Sequence, residues 1–212
     1  MKLYEIDEKR FKFEHLKKFL TRVAGGKDKL AYRERQLKKA EELGIDVTEK
    51  GDKQDTGRLS PAQLKDVAGE ELQKIYSDFG VDEREVFSIF KGESSFNTKA
   101  FNASGAVGLF QAMPAVAKEL GTSSVKIHQM TAAEQVNLYH KYLSMHSRRL
   151  RTKNFKGRLG ILQAAPGYAN RKPNEAIYPK GSKEWKQNGP WRPADGGDIT
   201  IASISDYYRR KA

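Results

Sequence analysis

The stretch GESSFNTKAFNASGAVGLFQAMP, residues 92–114, holds a single carboxylate, Glu93. Its neighbours are hydroxyls, amides, glycines and three rings, Phe90, Phe96 and Phe110. A free glutamic acid, with a pKa of about 4.3, is mostly ionised at neutral pH. Apolar neighbours disfavour the charged form and raise that value. A lone Glu so placed can deliver a proton to a leaving oxygen as a general acid. Most enzymes that cleave acetal bonds add a second carboxylate as nucleophile or base. Residues 94–118 contain none. If Glu93 does this chemistry, the second group has to come from the substrate or from a distant part of the chain.

The rest of the composition narrows the possibilities. With 212 residues the chain can form one domain with a real core and a smaller appendage. There is no cysteine, which excludes disulfides, a thiol nucleophile and thiolate metal sites. His15, His128, His140 and His146 are scattered without ligand spacing, so no metal site and no cofactor is expected. No apolar run is long enough to span a membrane, and the charged N-terminus has no apolar core of an export signal. The net charge of +12 is uneven: residues 61–120 carry −3 and residues 121–212 carry +11. The densest basic run, RRLRTKNFKGR (148–158), suits either a solvated helix end or a polyanionic partner.

The pattern is that of helices. Residues 10–23 have apolar positions Phe13, Leu16, Phe19, Leu20 and Val23, and residues 27–44 carry a thin stripe of Leu30, Leu37, Ala40 and Leu43. Stripes this thin bury little alone, so both helices should pack on the main domain or on a partner. Residues 46–58 read as a polar linker. Ser60-Pro61 opens the next helix, which ends at Gly80. Asp82 with Glu85 forms a capping box for a helix whose inner face is Val86, Ile89 and Phe90. Counting forward puts Glu93 in or just beyond its last turn. That is a poor place for a carboxylate, because the helix dipole is negative there. A short helix ends at Gly121, and Thr131 with Glu134 caps one carrying Val136, Tyr139, Tyr142 and Leu143 on one side. A helix running into Ala165 is broken by Pro166-Gly167. Residues 173–198, rich in Pro, Gly and Trp, read as a long ordered loop before a terminal helix from about Ser203. The fold class is all-α with little strand: a main domain over 59–212 and a helical appendage with linker over 1–58.

The joint pattern is Glu93-Ser94-Ser95-Phe96, then Ser104-Gly105-Ala106-Val107-Gly108-Leu109-Phe110-Gln111, and Pro114. It resembles the soluble lytic transglycosylase and goose-type lysozyme family, whose members carry E-S-x-F and then S-x-x-G-A-x-G-L-M-Q-x-x-P. Phe110 stands where the family usually has Met. The family's later AAYNAG-like segment corresponds to LQAAPGYANRKP, and its terminal Tyr-bearing helix to SISDYYRR. The resemblance implies a lysozyme-like domain that cleaves the MurNAc–GlcNAc bond of peptidoglycan, with Glu93 as the catalytic acid. It also implies substrate contacts from Ser94, Phe110, Gln111, Gln163, Tyr168 and Tyr207. Tyr168 and Tyr207 read first as packing residues and second as platforms for sugar rings.

Substrate assistance answers the missing carboxylate. A neighbouring N-acetyl carbonyl stabilises the cationic carbon, and the sugar's 6-hydroxyl then attacks, giving a 1,6-anhydro product. Two rivals are a hydrolytic goose-type lysozyme using water held by Asp195 or Asp198, and a non-enzymatic basic virion protein. The expected partner is the glycan strand, with a phage tail or other virion protein docking through residues 1–58, and not nucleic acid. A cell-wall motif without an export signal implies phage origin, with delivery to the periplasm or cell wall by a virion.

Overall fold

The computed structural model describes residues 27–45, 57–150 and 154–211. The expected helix over residues 10–23 and most of the linker at 46–58 fall outside that range. Helix α1 (Lys27–Leu43) is followed by α2 (Pro61–Phe79), α3 (Glu83–Ser94), α4 (Pro114–Glu119), α5 (Ser124–Gln129) and α6 (Ala132–Leu150). Then come α7 (Leu159–Ala164), strand β1 (Ala176–Tyr178), α8 (Lys183–Gln187), strand β2 (Ile199–Thr200) and α9 (Ile201–Arg209). β1 and β2 pair antiparallel. The class is the all-α one read from the sequence, with this small ribbon as its sheet.

The caps are those the sequence announces. The Ser60 hydroxyl accepts from the Gln63 amide, and the Gln63 side chain accepts from the Ser60 amide. Asp82 and Glu85 do the same for α3. Thr131 and Glu134 close the start of α6. Each such cap stabilises its helix by about 0.5–2 kcal/mol. α9 begins at Ile201 instead of Ser203, because Thr200 and Ser203 make a capping box of their own. The segment 173–198 is shaped by β1, α8 and the stacking of Arg192 on the Trp185 ring, 3.9 Å from its centroid.

α2 lies along α6, and α9 packs on α7 and α3. At the centre the Tyr139 ring meets Phe90 at 5.3 Å, Phe110 at 5.1 Å and Tyr142 at 5.9 Å between centroids. Burying rings and branched chains of this size stabilises by about 1.5–3 kcal/mol each. That core brings the end of α3, the loop after it and α9 together. α1 shares it: Ala40 and Ile45 are buried with the rest.

Candidate active site

Glu93 occupies the last turn of α3, one residue after Gly92. The helix ends abruptly because Ser95 (φ 53°) and Phe96 (φ 60°) are both left-handed. Their amides fold back onto the carbonyls of Lys91 and Phe90. A left-handed residue with a side chain costs on the order of 1–2 kcal/mol, so two in succession just after a carboxylate mark a site held by its surroundings.

The group that meets Glu93 is Tyr208, whose hydroxyl donates to Oε1. Ile201, Ile204 and Tyr208 are buried along one side of α9, which aims the ring inward. Two glycines make room for it. A Cβ at Gly92 would lie 3.2 Å from Tyr208 Cδ1 and Cε1, and one at Gly160 would lie 2.8 Å from Cδ2. The opposite edges of the ring are thus received by bare backbone. Burial raises the pKa of Glu93 above the ordinary carboxylate range, and the hydrogen bond from Tyr208 acts in the opposite direction. The Tyr208 hydroxyl itself is pushed well up, by burial and then by the Glu93 charge. The result is a carboxyl that holds its proton to higher pH than a free Glu, with one fixed donor on one oxygen.

The motif loop is organised by a buried amide in α6. Gln135, 0% exposed, accepts from the Leu109 amide at 2.8 Å and donates to the carbonyls of Thr98 at 2.9 Å and Ile127 at 3.0 Å. Gly108 (φ 78°) passes so near it that an added Cβ would sit 2.5 Å from Gln135 Oε1. Val107 bridges to Phe101 on one side and to Ala112 on the other, making a narrow ribbon-like fold of the loop. Gln111 is left-handed at φ 48°, and its amide donates to Gly108 O at 3.0 Å and Ala100 O at 3.3 Å.

The other expected residues are placed as follows. Ser94 is buried and its hydroxyl donates to Phe90 O at 3.0 Å, back into its own helix and not to Glu93. Phe110 is enclosed in the core, 1% exposed, with its ring against Tyr139 and Tyr142. Gln163 donates to Phe110 O at 2.7 Å, which ties α7 to the motif loop. Its Oε1 is buried with no partner among the described residues. Tyr168 is half-buried, edge-on to Tyr178 at 6.0 Å, with the Arg171 guanidinium 4.8 Å from its centroid. Tyr207 is half-buried beside Tyr208 and on the Glu93 side of α9. Burial and then the Glu93 charge raise its hydroxyl. Of the two adjacent tyrosines, Tyr208 makes the bond to Glu93, and Tyr207 does not.

Two acids considered as water-holders are tied to turns of the 173–198 segment. Asp195 accepts from Gly197 N at 2.9 Å and Asp198 from Lys180 N at 2.7 Å. No group of three His, Asp or Glu side chains suited to a metal ion occurs among the described residues.

A helical domain with one desolvated glutamate at a helix end, steadied by a tyrosine from the terminal helix, has the layout of a lysozyme-like glycan-cleaving domain. Residues 70–156 match the family model of the transglycosylase SLT domain, whose members are peptidoglycan lytic transglycosylases, and this match supports an enzyme of that type. The matched span holds Glu93, Gln111 and Gln135. Gln163, Tyr208 and all of α1 lie outside it.

Proposed function

We propose that Glu93 is the sole catalytic acid–base of this transglycosylase, and that its products carry 1,6-anhydro-muramyl ends. In the first step the protonated Glu93 carboxyl gives its proton to the oxygen linking MurNAc to GlcNAc. The C1–O bond breaks, and the N-acetyl carbonyl of the same MurNAc closes on C1. In the second step the Glu93 carboxylate takes the proton of the 6-hydroxyl, whose oxygen bonds to C1 as the carbonyl leaves. The carboxyl is restored and no water is consumed. The observation that carries this reading is the pairing of a desolvated Glu93 with Tyr208. Burial favours the protonated acid, while the Tyr208 donor supports the carboxylate that exists between the two steps.

The test is mass spectrometry of fragments released from purified peptidoglycan. Anhydro-muramyl ends are expected. They differ from reducing ends by the mass of one water, and a digest with reducing ends alone overturns the proposal in favour of hydrolysis.

A further inference from the structure

α1 lies outside the span that matches the SLT domain, yet it packs on the motif loop. The Gln36 side chain donates to the Phe101 carbonyl. Leu43 and Lys39 stand over Gly105, where an added Cβ would come within 3.2 Å of Leu43 Cδ1, of Lys39 Cε and of Pro114 Cγ. Gly44 reverses the chain at φ 68°, and the Ile45 amide returns to Ala40 O at 2.9 Å, which buries Ile45. Gly44 itself backs onto Val125 of α5. Leu43 of the sparse stripe, with Gln36 and Lys39 beside it, thus faces the outer side of residues 101–114.

That surface belongs to a loop with little regular pairing. Its turn at Gly105 (φ 88°) is closed locally by Asn102, whose Oδ1 accepts from Ser104 N at 2.8 Å and Ala106 N at 3.1 Å. Its inner side, Val107 to Ala112, is held by Gln135 and Gln163. Phe101 and Val107 link the two sides. Three residues, Gly105, Gly108 and Gln111, have positive φ. Such a loop keeps one conformation only when it is held on both sides.

We infer that α1 is a positioning element for the catalytic loop. Gln36 and Leu43 fix the outer rung at Phe101 and Gly105, and the bridge to Val107 transmits that register to Gln111. The inference rests on the reading that the motif loop forms a wall of the glycan cleft. It assigns a role in the reaction to a segment before the matched domain, with Gln36 and Leu43 as positioning residues.

The test uses the full chain with Gln36→Ala and Leu43→Ala combined, Leu43→Met as the conservative variant, and Gln111→Ala as a probe of the loop itself. Cleavage of purified peptidoglycan is measured well below the melting temperature of each variant, where near-UV circular dichroism matches wild type. Misplacement of a group by about 1 Å can cost roughly 100-fold, so kcat/KM of the double variant should fall about 10–100-fold. Leu43→Met should retain most activity. The pH at which activity declines should stay put in the double variant, because the groups acting on Glu93 are its burial and Tyr208. If the double variant cleaves at the wild-type rate while Gln111→Ala is slow, the positioning role is overturned. A loss that merely follows the unfolded fraction overturns it too. If Gln111→Ala and the double variant are both as fast as wild type, the loop is not a cleft wall and the underlying reading falls with the inference.

Discussion

Replacing Gln135 by Leu keeps roughly the side-chain volume and removes every polar contact of the amide. The Leu109 amide loses its acceptor at 2.8 Å, and the carbonyls of Thr98 and Ile127 lose donors at 2.9 and 3.0 Å. The site is fully buried, so water does not replace them. A buried backbone group left unpaired costs about 1–3 kcal/mol. The Leu109 amide and the Thr98 carbonyl are left unpaired, while the Ile127 carbonyl keeps the Met130 amide at 3.2 Å, which gives roughly 3–5 kcal/mol in all. For a domain of this size each kcal/mol moves the melting temperature by about 2–4 °C, so a fall of roughly 6–20 °C is expected. Gln135→Glu tests the same accounting with the shape kept. An ionised carboxylate still accepts from Leu109 N but faces two carbonyls without a donor. Protonation restores one O–H, so the melting temperature of that variant should recover in acid relative to wild type. Thermal unfolding followed by circular dichroism at two pH values decides both. A Gln135→Leu protein melting within about 2 °C of wild type, a change below 1 kcal/mol, would refute the claim that this amide holds the loop.

Tyr208→Phe removes the hydrogen bond that lowers the Glu93 pKa and leaves the burial that raises it. The alkaline limb of the pH–rate profile should therefore move to higher pH, and a limb that moves down or stays would sink the assignment of this bond. Glu93→Gln should lower turnover at least about 10²–10⁴-fold, the usual worth of general acid catalysis, read as clearing of cell-wall suspensions. The same variant should melt higher than wild type near neutral pH, with the difference shrinking toward about pH 4, where an ordinary Glu is protonated. The sign follows from a folded-state pKa raised above the unfolded one: the contribution of Glu93 to stability is full below the unfolded value and is lost as pH rises through the folded one. Gly160→Ala places a Cβ 2.8 Å from Tyr208 Cδ2. It should slow cleavage and shift the alkaline limb in the same direction as Tyr208→Phe, whereas a wild-type profile would mean the slot is loose.

The parts of this fold visible in the sequence are those specified by neighbours along the chain. Ser60, Asp82 and Thr131 each act on a residue three positions on, so their helices begin where the pattern says. The motif around Glu93 stands out in the sequence because it is contiguous. Tyr207 reads from the sequence as a packing residue or sugar platform and Tyr208 does not stand out, because which of the two turns inward depends on the phase of α9. Ile201, Ile204 and Tyr208 share a face, and that spacing was readable once the helix is started at Ile201 instead of Ser203. Gln135 had no local signal, since an amide inside a helix reads as a surface residue until the loop it serves is folded over it. Phe110 was expected at the substrate for its place in the motif, but its ring completes the core around Tyr139. The docking surface of α1 could not be read either, because a sparse stripe says that a helix packs and not on what.

Glu93 is a half-buried carboxyl with a raised pKa, Ser95, Phe96 and Gln111 are left-handed without being glycine, and the Tyr139 hydroxyl and Gln163 Oε1 are buried without partners among the described residues. Each of these is unfavourable on local grounds. They gather within the end of α3, the loop after it and the helices packed on them. The compensations converge on the same place from separate parts of the chain: Gln135 from α6, Gln163 from α7, Tyr208 from α9, and Gln36 with Leu43 from α1. A loop stabilised only by itself would relax toward right-handed backbone. Fuller solvation of Glu93 itself would return its pKa toward the ordinary carboxylate value. The supports thus divide the work: loosening Tyr208 should appear first in the pH dependence of cleavage, and loosening the contacts from α1, α6 or α7 in its rate or in the melting temperature.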